Sequence, residues 1–232
     1  MSNKIKIPLF VVHYTKLHNR KNYLDSEFNK YFENIEYITT YDQEDLDRNI
    51  LKERYIEDKI MFLEKLKELW DIDNLQYRKM DMSEISCYFK HTEALKKISE
   101  GSDDFGIVIE DDVIPILNPV REINKIVKKN KDWDILFIGK GIGTKFIFDK
   151  LKVKSFIHSE FKVSHPASNC AEAYIVKKET AKILFDNLNT FHLPYDWELA
   201  FQMYKLQLNV YWKSNPVFEQ GSKTGKYNSA LR

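Results

Sequence analysis

The sequence predicts an α/β protein with a mostly parallel central sheet flanked by helices. Three observations lead there. Runs of β-branched and aromatic residues, Ile7–Tyr14 (IPLFVVHY), Phe105–Ile109 (FGIVI) and Trp133–Ile138 (WDILFI), read as strands buried on both faces. Stretches of helical period separate them, so strands and helices alternate along the chain. Apolar residues make up 43% of the 232, with 15 Phe, 13 Tyr and 4 Trp, which is ample for a dense core and excludes wholesale disorder. The expected organisation is one domain over 1–232 with a helical insertion at about 42–81.

Taken in order, Ile7–Tyr14 is the first strand, Asn22–Phe32 a helix carrying Tyr23, Leu24, Phe28, Tyr31 and Phe32, and Glu36–Thr40 a second strand. Asp42–Asp81 then holds 20 charged residues in 40, with Ile56, Ile60, Leu63, Leu66 and Trp70 on one helical face. That predicts a charged helical excursion packed on the main body. Ser83 is the expected cap of the next helix, which carries Cys87, Tyr88, His91, Ala94 and Leu95. After the strand Phe105–Ile109 come a helix over Asn118–Lys129 and the strand Trp133–Ile138. Phe146–Val163 reads as irregular and β-rich, Cys170–Val176 as a strand, and Lys178–Leu188 and Asp196–Gln207 as helices. Val210–Trp212 is a short strand, and Pro216–Arg232 a tail whose default is fraying.

Several function classes drop out early. Lys and Arg total 36 against 35 Asp and Glu, a formal charge of +1, which disfavours a nucleic-acid partner. No apolar run is long enough for a membrane-spanning helix, although peripheral association stays open. The N-terminus lacks the cleavage site of a secretory signal, so the expectation is a cytoplasmic protein with reduced Cys87 and Cys170. No Gly or Pro occurs between Leu9 and Glu100, so no Walker phosphate loop fits there. Gly139-Lys140-Gly141-Ile142-Gly143 follows a strand but lacks the dinucleotide spacing. A nicotinamide-type oxidoreductase is therefore disfavoured.

The chemistry begins at Glu110-Asp111-Asp112, directly after an apolar strand. Three adjacent carboxylates repel unless a cation sits among them, and in extended backbone Glu110 and Asp112 project to the same side. The plain alternative is a solvated acidic turn. Open α/β sheets bind ligands at the carboxyl ends of their strands, which favours the site. A nucleotide-sugar transferase uses such carboxylates with Mg²⁺ or Mn²⁺ to hold a diphosphate, and a separate carboxylate to deprotonate the acceptor.

The order of segments resembles glycosyltransferase family 25, the lipooligosaccharide and collagen-type galactosyltransferases of GT-A (Rossmann-like) fold. The pieces that carry the resemblance are Asn19-Arg20-Lys21 after the first strand, Ser83-Glu84-Ile85-Ser86-Cys87 with His91 four residues on, and Val108-Ile109-Glu110-Asp111-Asp112-Val113. Trp133–Gly139, Ala173-Tyr174-Ile175-Val176 and Pro194-Tyr195-Asp196-Trp197 follow in sequence. Lys90 departs from the family pattern, which has a small hydroxyl residue before the His.

The resemblance implies transfer of a hexose from a nucleotide-diphosphate sugar, UDP-galactose or UDP-glucose, to a glycan, lipid-linked or protein-linked hydroxyl, with inversion, as in lipopolysaccharide biosynthesis. It implies Asp112 as metal ligand for Mn²⁺ or Mg²⁺, with Glu110 assisting the metal or the ribose and Asp111 able to do either. Arg20 would contact the nucleotide, and Asp196 would be the general base with Glu198 as the alternative. His91, Asn169 and Lys223 are candidate donor contacts, and Lys226 a second basic residue of the tail. A third metal ligand would be Gln220 or Ser222 of the tail, or water, with His165 the nearest other imidazole by sequence context. Each has an ordinary structural role beside it: a packed His91, an Asp196 that caps its helix, an Asn169 that turns the chain. The competing class is a non-catalytic carbohydrate-binding or scaffold protein with a degenerate glycosyltransferase fold, its aromatics or charged excursion making the contacts.

Overall fold

In this computed structural model of the chain, residues 4–70, 76–129, 132–141, 153–157, 160–163 and 170–230 are described. The first half runs β1 (Leu9–Val12), α1 (His18–Phe28), β2 (Ile35–Ile38), α2 (Arg48–Arg54), α3 (Lys59–Trp70), α4 (Met82–Glu100), β3 (Phe105–Glu110) and β4 (Val113–Pro115). Then come α5 (Pro119–Lys129), β5 (Ile135–Phe137), β6 (Val153–Ile157), β7 (Glu160–Val163) and β8 (Ala173–Lys177). The chain continues through α6 (Lys178–Asn187), α7 (Tyr195–Lys205), β9 (Val210–Lys213), β10 (Phe218–Gln220) and the one-turn α8 (Gly221–Thr224).

Eight strands form one sheet in the order β2-β1-β3-β8-β5-β9-β7-β6. Six point the same way, and only β7 and β8 run against them. The mostly parallel Rossmann-like sheet expected from the sequence is therefore present. Period-two alternation explains why these strands read as unbroken apolar runs. Leu9, Val11, Ile107 and Ile109 face one layer with Leu24 and Phe28 of α1 and Ile123 and Ile126 of α5. Phe10, Val12, Val108 and Phe137 face the other, with Tyr88 and Leu95 of α4, Leu184 of α6 and Leu199 of α7. With helices on both faces neither side of a central strand is solvated, so no polar position is needed. Each such buried side chain contributes about 1.5–3 kcal/mol of transfer free energy.

The 42–81 segment is helical where expected, but its buried stripe is shifted. Asp58 accepts hydrogen bonds from the N–H groups of Ile60 (2.8 Å) and Met61 (3.1 Å), which fixes the start of α3 at Lys59. Ile56 then lies before the helix and Ile60 in its solvent-facing first turn, 41% and 67% exposed. Leu66 of the expected stripe is buried and Leu63 packs beside it, while Phe62 takes the buried place expected of Ile60, against Leu193 and Trp197. Two further expectations are corrected. The cap of α4 is Asp81, whose N–H donates to the Glu84 carboxylate at 3.0 Å, and Ser83 sits inside the first turn. The tail does not fray: β10 pairs antiparallel with β4, and α8 follows at once. The β-rich reading of Phe146–Val163 matches β6 and β7 where the segment is described.

Candidate active site

The chain leaves β1 to place β2 on one side and returns to place β3 on the other, so a crevice opens beyond the carboxyl ends of β1 and β3. His13 and Tyr14 follow β1, and Glu110-Asp111-Asp112 ends β3, in register with Val12 opposite Glu110. A cleft of about 690 Å³ opens here, lined by Arg20, Lys90, Glu110, Asp111, Asp112 and Ser222 among others.

The three carboxylates have separate fates. Asp111 accepts from His13 Nδ1 at 2.9 Å and the Tyr14 N–H at 3.1 Å on one oxygen, and from Arg20 at 2.5 Å on the other. Burial pushes its pKa up, but the His13 hydrogen bond and the Arg20 charge outweigh it, and the net shift is downward. Asp112 accepts from the Ser222 hydroxyl at 2.5 Å on Oδ2, while its buried Oδ1 has no hydrogen-bond partner. Glu110 accepts from Gln220 Nε2 at 3.2 Å. Its pKa is held well above the usual range by burial first, then by the charges of Asp112, Glu172 and Asp111.

The tail completes this cleft. The Gly221 N–H donates to the Asp112 carbonyl at 2.7 Å, and a Cβ at Gly221 would lie 2.8 Å from that oxygen and 2.5 Å from Tyr227. Only glycine permits that approach. Arg20 donates to the Asn228 carbonyl and lies over the Tyr227 ring, and Lys226 sits 3.5 Å from the Tyr23 ring centre. Lys90, which broke the family pattern, is buried and donates to the His13 carbonyl and to Asp42, pinning the loop after β1.

A second cleft of about 780 Å³ opens on the far side of Glu110. Arg78, Glu84, Asp196, Trp197 and Lys223 line it, and Cys87, Glu110 and Gln220 face both clefts. Asp196 accepts from the Trp197 N–H at 3.1 Å, yet burial lifts its pKa to about 6. The helix-end N–H groups therefore do not hold it fully ionised, contrary to the simple expectation from a helix N-terminus. Cys170 (φ 69°) and Ala171 (φ 50°) take the left-handed backbone conformation on this wall.

The structure thus brings Arg20, Glu110, Asp111 and Asp112 together, with Asp196 and Lys223 across Glu110. It does not bring Glu198 there: that carboxylate is fully buried, paired with Lys65 of α3 at 2.5 Å. Lys223 donates to the Gly141 carbonyl at 3.0 Å on the rim. His91 is buried beneath Glu110 and stacked on Tyr195 at 4.1 Å, with burial lowering its pKa to about 3. Asn169 and His165 lie outside the described residues. The sequence reading gave no site role to His13, Tyr14 or Glu172, and it noted Lys90 only as a departure from the family pattern. Glu172 accepts from the Gly141 N–H at 2.7 Å, and its pKa is pushed to about 7 by burial. The sequence reading placed His13 and Tyr14 inside the strand Ile7–Tyr14, whereas β1 ends at Val12 and leaves both at its carboxyl end.

An open, mostly parallel sheet with a carboxylate-lined crevice at its switch point is the architecture in which α/β proteins bind ligands. Comparison makes the class specific. The model of glycosyltransferase family 25 (LPS biosynthesis protein) matches residues 6–199, and the chain belongs to that family. It is therefore a glycosyltransferase by family, taking a sugar donor and a glycan acceptor. No curated protein matches it. Among solved structures, the crystal structure of A197 from STIV is 12% identical, covering 91% of this chain and 83% of that one, with a TM-score of 0.41.

Proposed function

We propose that the chain is a metal-dependent, inverting hexosyltransferase of GT-A type, taking UDP-galactose or UDP-glucose as donor and a glycan hydroxyl, lipid- or protein-linked, as acceptor. The observation that carries the reading is the Asp112 carboxylate. One oxygen is fixed by Ser222, and the other is buried in the crevice without a partner. A buried carboxylate oxygen without a donor calls for a cation, and the all-oxygen set of Asp112 and Glu110 suits Mg²⁺ or Mn²⁺. Asp112, with Glu110 beside it, would hold the ion, which supplies charge neutralisation for the departing diphosphate.

The chain's own groups do the rest. Arg20, oriented by Asp111 and Tyr227, presents cationic edge to the nucleotide end of the first cleft. Asp196, in the second cleft, takes the proton from the acceptor hydroxyl as that oxygen attacks the anomeric carbon. A single displacement inverts the centre and needs one base opposite the leaving group, which matches two clefts meeting at Glu110. Trp197 beside Asp196 offers an apolar wall against which a sugar ring can stack.

The test is a screen of nucleotide sugars for hydrolysis by purified protein, with Mn²⁺ and with chelator. Mn²⁺-dependent release of UDP from one sugar donor is the expected result. Absence of any release, with donors failing to bind in calorimetry, would return the chain to the non-catalytic reading.

A further inference from the structure

Between the two clefts lies a cluster whose chemistry differs from the oxygen set at Asp112. Cys87 and His91 are four residues apart on α4, so both project from one face of the helix toward the end of β3. Cys87 Sγ, a ring nitrogen of His91 and a Glu110 carboxylate oxygen all lie within 4.8 Å of one another. His91 is wholly buried and its Nε2 has no hydrogen-bond partner, yet that atom points at Glu110 Oε1 from 3.6 Å. This separation is too long for a hydrogen bond. It is close to the edge of about 3.4 Å between nitrogen and oxygen ligands around a tetrahedral zinc ion.

The surroundings prepare the imidazole for that role. His91 Nδ1 lies 3.3 Å from the Tyr174 hydroxyl, which is 2.9 Å from the Tyr195 hydroxyl, and the ring stacks on Tyr195. A Tyr oxygen accepting from Nδ1–H leaves the Nε2 lone pair free and fixes the ring plane, the arrangement that outer partners give to metal-ligating histidines. Cys87 is half-buried and lines both clefts, so an ion and a water can reach the group from solvent.

We propose that Cys87, His91 and Glu110 form a binding site for a borderline-soft divalent cation of the Zn²⁺ class, with cleft water as fourth ligand. A thiolate–imidazole–carboxylate set favours Zn²⁺ over Mg²⁺ or Mn²⁺, which prefer the oxygens of Asp112. As the metal–sulfur bond forms, the Cys87 thiol releases its proton to solvent, and no redox change occurs. The site goes beyond the transfer reading: Glu110 is common to both, but His91, expected as a donor contact, is buried beneath it, and Cys87 has no role in the proposed transfer.

The test uses the full chain stripped of metal and titrated with Zn²⁺ against a chromophoric chelator, and with Co²⁺ by absorption. One Zn²⁺ per chain is expected, with a thiolate-to-cobalt charge-transfer band in the Co²⁺ form. Excess Mg²⁺ should not displace it. Cys87→Ser should weaken Zn²⁺ binding by about a hundredfold or more and abolish the band, the loss of a direct ligand exceeding that of an outer partner. Cys170→Ser should leave both unchanged. In the unmodified protein Zn²⁺ should also protect Cys87 from alkylation, mapped by peptide mass spectrometry, so the result does not hang on the folding of a variant. Co²⁺ bound without a thiolate band, alkylation of Cys87 unaffected by Zn²⁺, or equal Zn²⁺ affinity in Cys87→Ser would each overturn the proposal. None of these outcomes bears on Mn²⁺-dependent donor hydrolysis, so the two readings fail separately.

Discussion

The two clefts that meet at Glu110 are built by opposite means. In the first, the charged groups are tied down: Asp111 has both oxygens engaged by His13, Tyr14 and Arg20, and Asp112 is held by Ser222. In the second, Asp196 accepts a hydrogen bond from the N–H of its neighbour Trp197, and burial lifts its pKa to about 6. A fixed network holds a ligand of constant charge without reorganisation, whereas a loosely held carboxylate with a raised pKa can change its protonation state during a turnover. The difference separates holding the donor from moving the acceptor's proton.

The sharpest way to break this comparison is Asp112→Ala. Transfer should fall by about a thousandfold or more, since the carboxylate acts where charge develops. The fold should survive, because removing Asp112 relieves repulsion on Glu110. Sugar-transfer assays with Mn²⁺, paired with thermal melts, check both halves. Full activity of the variant in excess chelator would remove the metal from the reading.

A second substitution separates the two acidic residues at the start of α7. Glu198 is buried and bound to Lys65, and also accepts from the His192 N–H at 3.3 Å. Glu198→Ala leaves Lys65 as an uncompensated buried charge and should destabilise the protein by about 3–5 kcal/mol, read by urea unfolding. Turnover per folded molecule should stay near normal. By contrast, Asp196→Asn should lower kcat by about a hundredfold with donor binding and stability little changed. If the two variants exchange these phenotypes, the base is Glu198 and the second cleft has another use.

How much of this was legible in the sequence follows the range of the contacts involved. The central strands were readable because burial on both faces leaves a local apolar run, as in Phe105–Glu110. The Glu110–Asp112 cluster was readable because adjacency in sequence is adjacency in space. The packed side of α3 was read only in part: Leu63 and Leu66 lie on it, but Asp58 sets the helix start so that Ile56 and Ile60 are exposed. The tail was misread more seriously. Its Lys, Gly and Ser content resembles a frayed end, but its order comes from Asp112, Arg20 and β4, a hundred or more positions away. Residues 200–232 also lie beyond the family match, so Gln220 and Ser222 enter the site from a segment the family pattern does not cover. Lys90 was noticed as an oddity, but its partners in the loops after β1 and β2 could not be read from α4 alone.

The smallest expected effect is the one that tests the proton most directly. With a pKa near 6, Asp196 is ionised above that pH and protonated below it. The base form should therefore fall to about half at pH 6 and about a tenth at pH 5, so the rate is lost as pH falls and regained as it rises. The acid limb of kcat at saturating donor should follow that curve. Glu172, with a pKa near 7, and Glu110, raised by burial, titrate in the same direction. A limb in the wild-type profile alone does not say which carboxylate carries it. The Asp196→Asn variant does. Its residual rate should be flat from pH 5 to about 7 if Asp196 is the base, because the group that titrates has been removed. A limb that persists in the variant belongs to Glu172 or Glu110, and the proton-moving role then passes from Asp196 to one of them.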